Sequence, residues 1–157
     1  MSETGTHPVW GASLKALRRS LYAQQVFSSM VREWDERGLL LDDSIRESLH
    51  RATDAASSCR VAALGHCIRL HFLRAGGEQQ EERVISDLVA LLYEARRADS
   101  EGGEIVESLI ESGRLPKEWK GPARTWHKQR CEWLKASVVT LKRRIAPELY
   151  ARGKAKL

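Results

Sequence analysis

The most regular hydrophobic pattern in this sequence lies in residues 42–75, DDSIRESLHRATDAASSCRVAALGHCIRLHFLRA. Apolar and small residues recur there at alternating spacings of four and three, which is typical of a helix that packs along other helices. The pattern holds for four heptads and comprises Ile45, Leu49, Ala52, Ala56, Cys59, Ala63, His66, Leu70 and Leu73. Asp42, Asp43 and Ser44 are suitable N-caps for this helix.

The other faces of this segment become apolar towards its end, where Val61, Leu64, Ile68 and Phe72 surround the helix. A helix that is amphipathic at its start and apolar all round at its end is typical of a buried position. We therefore expect residues 42–75 to form the central helix of the fold and to bury these side chains.

The rest of the sequence also has helical periodicity, and no alternating strand pattern occurs in it. We expect further helices over roughly residues 12–37, 78–98, 103–112 and 122–145. The predicted fold class is therefore all-α, a single-domain bundle of about five helices around the long central helix. The predicted domain boundaries are a disordered leader at residues 1–10, the helical bundle at 11–147 and a basic C-terminal tail at 148–157.

Charge is distributed unevenly along the 157 residues. Residues 1–113 contain 13 Lys and Arg against 18 Asp and Glu, a net charge of −5, whereas residues 114–157 contain 13 against 3, a net of +10. Within the first part, residues 76–113 alone carry 3 against 10, a net of −7. This asymmetry predicts either a polyanionic partner for the basic end or pairing of the acidic and basic ends, within or between molecules.

The sequence favours a cytoplasmic protein without a membrane partner. It begins without the basic and apolar regions of a secretory signal, and no run of 18 apolar residues occurs. Cys59, Cys67 and Cys131 are an odd number of cysteines, which we expect to be free thiols in a reducing compartment.

Residues 119–144, WKGPARTWHKQRCEWLKASVVTLKRR, contain eight Lys and Arg against one Glu. On a helical wheel, Arg124, Lys128, Lys135 and Lys142 lie within about 40° of one another and extend over about 27 Å. We call these four residues the basic ridge; its length suits contact with a row of phosphates, although it could also be an ordinary solvated face. The full set of candidate nucleic-acid-binding residues is Lys120, Arg124, Lys128, Lys135, Lys142, Arg143 and Arg144.

Three tryptophans recur every seven residues in the same segment, on the arc opposite the ridge. This spacing predicts that Trp126 and Trp133 pack in the core, and it leaves Trp119 as the one candidate for stacking on a base. We therefore expect backbone contact without base readout. Arg130 also lies in the apolar arc. If it is buried, it needs a carboxylate partner, which the acidic third or fourth helix could supply. The alternative is that this edge of the arc opens into a groove or a partner surface.

Two Cys and His pairs have a spacing that places both side chains on one side of a helix. They are Cys67 with His71 and His127 with Cys131, and together they could complete a tetrahedral zinc site. Neither pair has a loop-based zinc spacing, and buried thiols are common in cores, so we expect no metal site and no cofactor.

No catalytic motif is present: there is no glycine-rich phosphate loop, no nucleophile elbow and no zincin motif. We therefore expect a protein that is not an enzyme. Residues 107–134 have the gross outline of a helix-turn-helix, but the connection GRLPKEWKG at residues 113–121 is longer than the compact turn of that motif. Sequence-specific DNA reading is therefore disfavoured.

In size, helical content and basic face, the chain is similar to the small helical subunits of RNA-guided (CRISPR-type) effector complexes. This resemblance is at the level of fold class, and no motif carries it. It implies a non-enzymatic subunit that binds the backbone of RNA or single-stranded DNA within a larger assembly. From the charge distribution we expect self-association, in which the acidic 76–113 block docks onto the basic end of a neighbouring copy. The alternative is a protein–protein interaction module, such as an adaptor, inhibitor or immunity-type protein, that uses its acidic and basic surfaces for steering.

Overall fold

The computed structural model describes residues 8–73, 78–144 and 147–155. Within them lie five α-helices: α1 (Pro8–Glu36), α2 (Asp43–Ile68), α3 (Glu78–Glu111), α4 (Lys120–Arg144) and α5 (Pro147–Ala155). A π-helical turn, Arg69–Leu73, extends α2, and a 3₁₀ turn, Lys117–Trp119, precedes α4. No strand occurs in these residues, so the predicted all-α class is confirmed.

The first four helices form an up-and-down bundle. Consecutive helices are antiparallel, and side chains in contact join each pair: Ser28 of α1 lies near Ser57 of α2, Arg60 of α2 contacts Asp99 of α3, and Arg124 of α4 contacts Glu107 of α3. Ser13 near the start of α1 meets Ser137 near the end of α4, which closes the ring of helices. The short helix α5 packs on the outside of α3, with a hydrogen bond between the hydroxyls of Tyr93 and Tyr150.

The start of α2 follows the prediction. The side chain of Asp42 accepts hydrogen bonds from the backbone N–H groups of Ser44, at 2.9 Å, and Ile45, at 3.1 Å. These bonds satisfy donors that have no partner inside the first turn of a helix. Of the predicted seam, Leu49, Ala52, Ala56, Ala63 and Leu70 are buried.

The end of α2 differs from the prediction. Val61, Ile68 and Phe72 keep 57%, 40% and 59% of their surface exposed, so the expectation that these side chains are buried was wrong. The reason is that α1 and α3 cover only the seam side of α2, and no other helix of the described residues packs on its outer side. This outer face is therefore an apolar surface in the isolated chain.

Other element boundaries also differ from those predicted. Helix α1 begins at Pro8, inside the predicted leader, and residues 1–7 of that leader lie outside the described residues. Of the predicted basic tail, residues up to Ala155 belong to α5. The predicted third and fourth helices form the single helix α3, which passes through Gly102 and Gly103 without a break.

The glycine pair is present because α3 and α4 approach closely there. A Cβ atom on Gly103 would lie 2.5 Å from the imidazole ring of His127, and one on Gly102 would lie 3.5 Å from the Arg130 guanidinium. Contact distances below about 3 Å force the neighbouring side chain to move. Gly103 therefore serves packing, and neither glycine ends the helix.

We expect Gly103→Ala to destabilise the fold by about 1–3 kcal/mol, because the clash with His127 outweighs the better helix propensity of alanine. Urea denaturation measures the loss. Gly121→Ala is the matched control, since open space surrounds the position of its Cβ. A Gly103→Ala protein as stable as the Gly121→Ala protein would contradict the close approach.

The interior contains two hydrophobic clusters at opposite ends of the bundle. One cluster includes Leu17, Leu70, Leu88 and Leu141; the other includes Phe27, Trp34, Leu49, Leu109 and Ala123. Buried polar residues lie between them: Ser20 and Gln24 on α1, Arg60 on α2, Asp99 on α3 and Arg130 on α4. We call these five residues the central polar layer.

No helix in the described part of the chain is both long enough and apolar enough to span a lipid bilayer.

Candidate nucleic-acid interface

Asp99 is the carboxylate that pairs with both arginines of the central polar layer. The guanidinium of Arg60 donates to its two oxygens at 2.8 Å and 2.5 Å, and Nη1 of Arg130 lies 3.6 Å from Oδ1. Arg130 also donates to Oε1 of Gln24 at 2.6 Å. The predicted carboxylate partner of Arg130 is present, but Asp99 lies between the predicted third and fourth helices and not within either of them.

Two positive charges therefore share one negative charge inside the protein. Burial lowers the pKa of Arg130 to about 10, which still leaves its guanidinium charged at pH 7. Arg60 was not predicted, although the signal is the same as for Arg130: it is the one charged residue in the apolar run 55–68.

His127 and Cys131 adjoin this layer, with Sγ 3.8 Å from Nε2. Nδ1 of His127 accepts from Nε of Arg130 at 3.0 Å, so the ring proton lies on Nε2. Burial and the neighbouring Arg130 charge lower the pKa of His127, while burial and Asp99 raise the pKa of Cys131 to about 11. The pair is consequently a neutral imidazole beside a protonated thiol, which is a poor nucleophile.

The two Cys and His pairs do not form a joint metal site. Cys67 contacts Ser13, and His71 lies against the Gly11 backbone position and Phe72, whereas His127 packs on Phe27. Among the described residues, which include all four side chains, no group of three or more His, Cys, Asp or Glu is placed to hold a metal ion.

The basic ridge lies on the side of α4 that faces α3, and part of its charge is used within the protein. Nε of Arg124 donates to Glu107 at 3.1 Å, and the ammonium of Lys128 lies 3.9 Å from Glu132. Lys135 lines a cavity of about 250 Å³ between α3 and α4 together with Arg96 and Cys131. Lys142 lies 5.7 Å from the ring of Tyr150.

The other candidate residues are placed separately. Lys120 and Arg143 are exposed at the two ends of α4, and the side chain of Arg144 lies outside the described residues. The structure thus brings the ridge residues onto one side of α4 but does not isolate them from acidic groups.

The three tryptophans of residues 119–133 are not placed as the helical wheel predicted. Trp126 and Trp133 are half-buried and line a surface groove, and Trp126 also packs against the cluster that contains Phe27 and Trp34. Trp119, the predicted stacking candidate, packs edge-on against the buried Trp34, with 5.8 Å between ring centroids. The cause is the position of α1, which covers the centre of the apolar arc of α4 and leaves the Trp126 and Trp133 side at the edge of the contact.

This groove of about 450 Å³ runs between α1 and α4 and combines cations with aromatic rings. We call it the α1–α4 groove; its lining residues are Lys15, Arg18, Arg19, Tyr22, Ala23, Trp126, Gln129 and Trp133. The guanidinium of Arg19 lies 4.6 Å from the centroid of Trp133, and Tyr22 packs edge-on against Trp126. No carboxylate belongs to this lining.

The cations of the groove were missed because charge was counted over long stretches. Residues 8–32 contain four Lys and Arg and no Asp or Glu, but they belong to residues 1–113, whose net charge is −5. The acidic residues of α1, Glu33, Asp35 and Glu36, all lie at its C-terminal end, so a count over a short window at its start would have identified a second basic segment.

No protein-family model, curated protein or solved structure matches this chain. Its function is therefore inferred from the chemistry of the groove and the ridge.

Proposed function

We propose that this protein is a non-enzymatic subunit that binds single-stranded nucleic acid, RNA or DNA, in the α1–α4 groove without base specificity. The observation that carries this proposal is the lining of the groove: three cations and three aromatic rings with no carboxylate among them. Proteins that hold single strands combine a positive groove with aromatic stacking surfaces.

The groove cations are available to phosphates. Lys15, Arg18 and Arg19 are exposed, and none of them forms an ion pair with another residue in the described part of the chain. The stacking of Arg19 on Trp133 orients its guanidinium while leaving its N–H donors free. Three adjacent cations on one helix surface would therefore contact successive phosphates.

The aromatic rings supply the contact to bases. Tyr22 is 62% exposed beside Trp126, and the guanidinium plane of Arg19 that lies over Trp133 is a further surface on which a base can stack. A base stacked on such a ring contributes about 1–3 kcal/mol. Every base has a stacking face, so this contact binds any sequence, as expected for binding without base readout.

The groove suits a nucleic acid better than the basic ridge does. On the ridge, Arg124 and Lys128 already have carboxylate neighbours, Glu107 and Glu132. A phosphate that approached them would compete with these carboxylates and would be repelled by them. The groove offers no such competitor in its lining.

Reversing two charges in the groove tests whether the nucleic acid binds there or on the basic ridge. We expect Arg18→Glu/Arg19→Glu to weaken binding of a labelled single strand at least tenfold, measured by fluorescence anisotropy at two salt concentrations. The salt dependence should also fall, by about 0.7 in slope for each lost phosphate contact on a single strand. Single-stranded RNA, single-stranded DNA and duplex DNA are compared in parallel.

Lys135→Glu/Lys142→Glu is the matched control, because it changes the net charge by the same amount on the ridge. We expect it to reduce affinity much less. An equal loss in both variants would mean that net charge alone matters, and a larger loss in the ridge variant would place the binding surface there instead of in the groove. Circular dichroism of each variant verifies that the bundle is folded.

A protein–protein interaction module is the second candidate function. It is favoured by the ion pairs of Arg124 with Glu107 and of Lys128 with Glu132, because these ridge cations already pair with carboxylates of the same chain. The same titration distinguishes the two functions. A wild-type protein that binds none of the oligonucleotides at about 50 mM salt would exclude the first and leave the second.

A further inference from the structure

The outer face of α2 is an apolar surface that no other described element covers. Val61 and Ile68 are large hydrophobic residues that are exposed on this face, and Phe72 is exposed in the π-helical turn that follows it. Residues 55–68 contain one charged residue, Arg60, and it is buried. The exposed side of α2 therefore lacks formal charge over 14 residues, about 21 Å of helix. Surfaces of this kind mark interaction sites.

We propose that this face is the interface of a homodimer in which α2 packs antiparallel against α2 of a second copy. A two-fold axis makes such an interface self-complementary, because each residue pair across it occurs twice. The axis passes beside the helix between Val61 and Ala62. The residues that face the partner are then Asp54, Ala55, Ser58, Val61, Ala62, Gly65, Ile68 and Arg69, and all of them are exposed.

Large and small side chains alternate so that the two copies fit. With the axis at this point, Val61 lies opposite Ala62 of the partner subunit, and Ile68 lies opposite Ala55 of the partner subunit. Ser58 lies opposite Gly65 of the partner subunit, where the two backbones can approach closely. Packing of large residues into the spaces left by small ones is what close helix contact requires.

The charges at the two ends of the apolar face decide the direction of pairing. Asp54 and Arg69 flank the face, and neither forms an ion pair with another residue of the described chain. In the antiparallel arrangement, Asp54 lies opposite Arg69 of the partner subunit, and symmetry repeats this pair at the other end. A parallel arrangement would oppose like charges, which is unfavourable.

A single substitution at the axis tests the dimer. Sedimentation equilibrium of the wild-type chain should give twice the mass of the chain, and Val61→Asp should give a monomer, because two carboxylates would then face each other in an apolar contact. Leu41→Asp is the control: Leu41 is 87% exposed on a different surface, so this variant should remain dimeric.

A charge exchange tests the antiparallel register. Asp54→Arg and Arg69→Glu should each weaken the dimer at least tenfold, and the double variant Asp54→Arg/Arg69→Glu should recover most of the wild-type affinity. Recovery cannot result from a folding defect. A double variant as weak as the single variants would overturn the proposal, as would a wild-type protein that is monomeric. A dimer that Val61→Asp leaves intact would also overturn it.

Discussion

Replacing Asp99 with alanine is expected to destabilise the fold by about 3–5 kcal/mol, the range found when one partner of a buried ion pair is removed. The change leaves Arg60 and Arg130 buried beside each other with no negative charge between them. Their repulsion adds to the loss of the paired hydrogen bonds from Arg60. Urea denaturation followed by circular dichroism measures the free energy of unfolding.

Two further variants separate charge from shape. Asp99→Asn keeps the size of the side chain but removes its charge, so most of the loss should persist. Glu101→Ala removes an exposed carboxylate two residues along α3 and should change stability by less than about 0.5 kcal/mol. If Asp99→Ala cost no more than Glu101→Ala, the central polar layer could not depend on this carboxylate.

The central polar layer also fixes how the helices align. Each of the first four helices contributes at least one of its members, and their hydrogen bonds connect α1 to α4, α2 to α3, and α2 to α1. Sliding one helix by a turn moves its member by about 5.4 Å, beyond hydrogen-bonding distance. The apolar clusters on either side tolerate such a shift better, because contacts between aliphatic side chains have no required direction.

The helical periods predicted the fold class because each amphipathic helix must bury one face. The Arg130 prediction followed from one further rule, that a buried guanidinium needs a carboxylate. The break predicted between residues 98 and 103 does not occur, because α3 continues through Gly102 and Gly103. Glycine also appears where helices approach closely, and a single sequence does not distinguish this use from a helix end.

The candidate site was less predictable than the fold. A helical wheel gives the direction of a side chain relative to its own helix but not the position of the neighbouring helix. Trp126 and Trp133 lie on the apolar arc as predicted, yet α1 covers only the centre of that arc. The same limit explains why the outer face of α2 was expected to be buried.

The tryptophans provide the second large expected effect. Trp34 is fully buried in the cluster that contains Phe27 and Leu49, and we expect Trp34→Ala to destabilise the fold by about 3–5 kcal/mol. Trp34→Phe should cost much less, because it keeps most of the ring volume and removes an indole N–H that is buried without a hydrogen-bond partner. Urea denaturation again measures both values.

Trp133→Ala is the informative comparison, since it removes the same side chain from the α1–α4 groove. Trp133 is half-buried, so its loss should cost less stability than the loss of Trp34. It should instead weaken binding of a single strand by about 0.5–2 kcal/mol, because Arg19 loses the ring that holds its guanidinium over the groove. A Trp133→Ala protein that lost as much stability as Trp34→Ala and bound oligonucleotide normally would identify Trp133 as a core residue, and the groove would then lack its stacking surface.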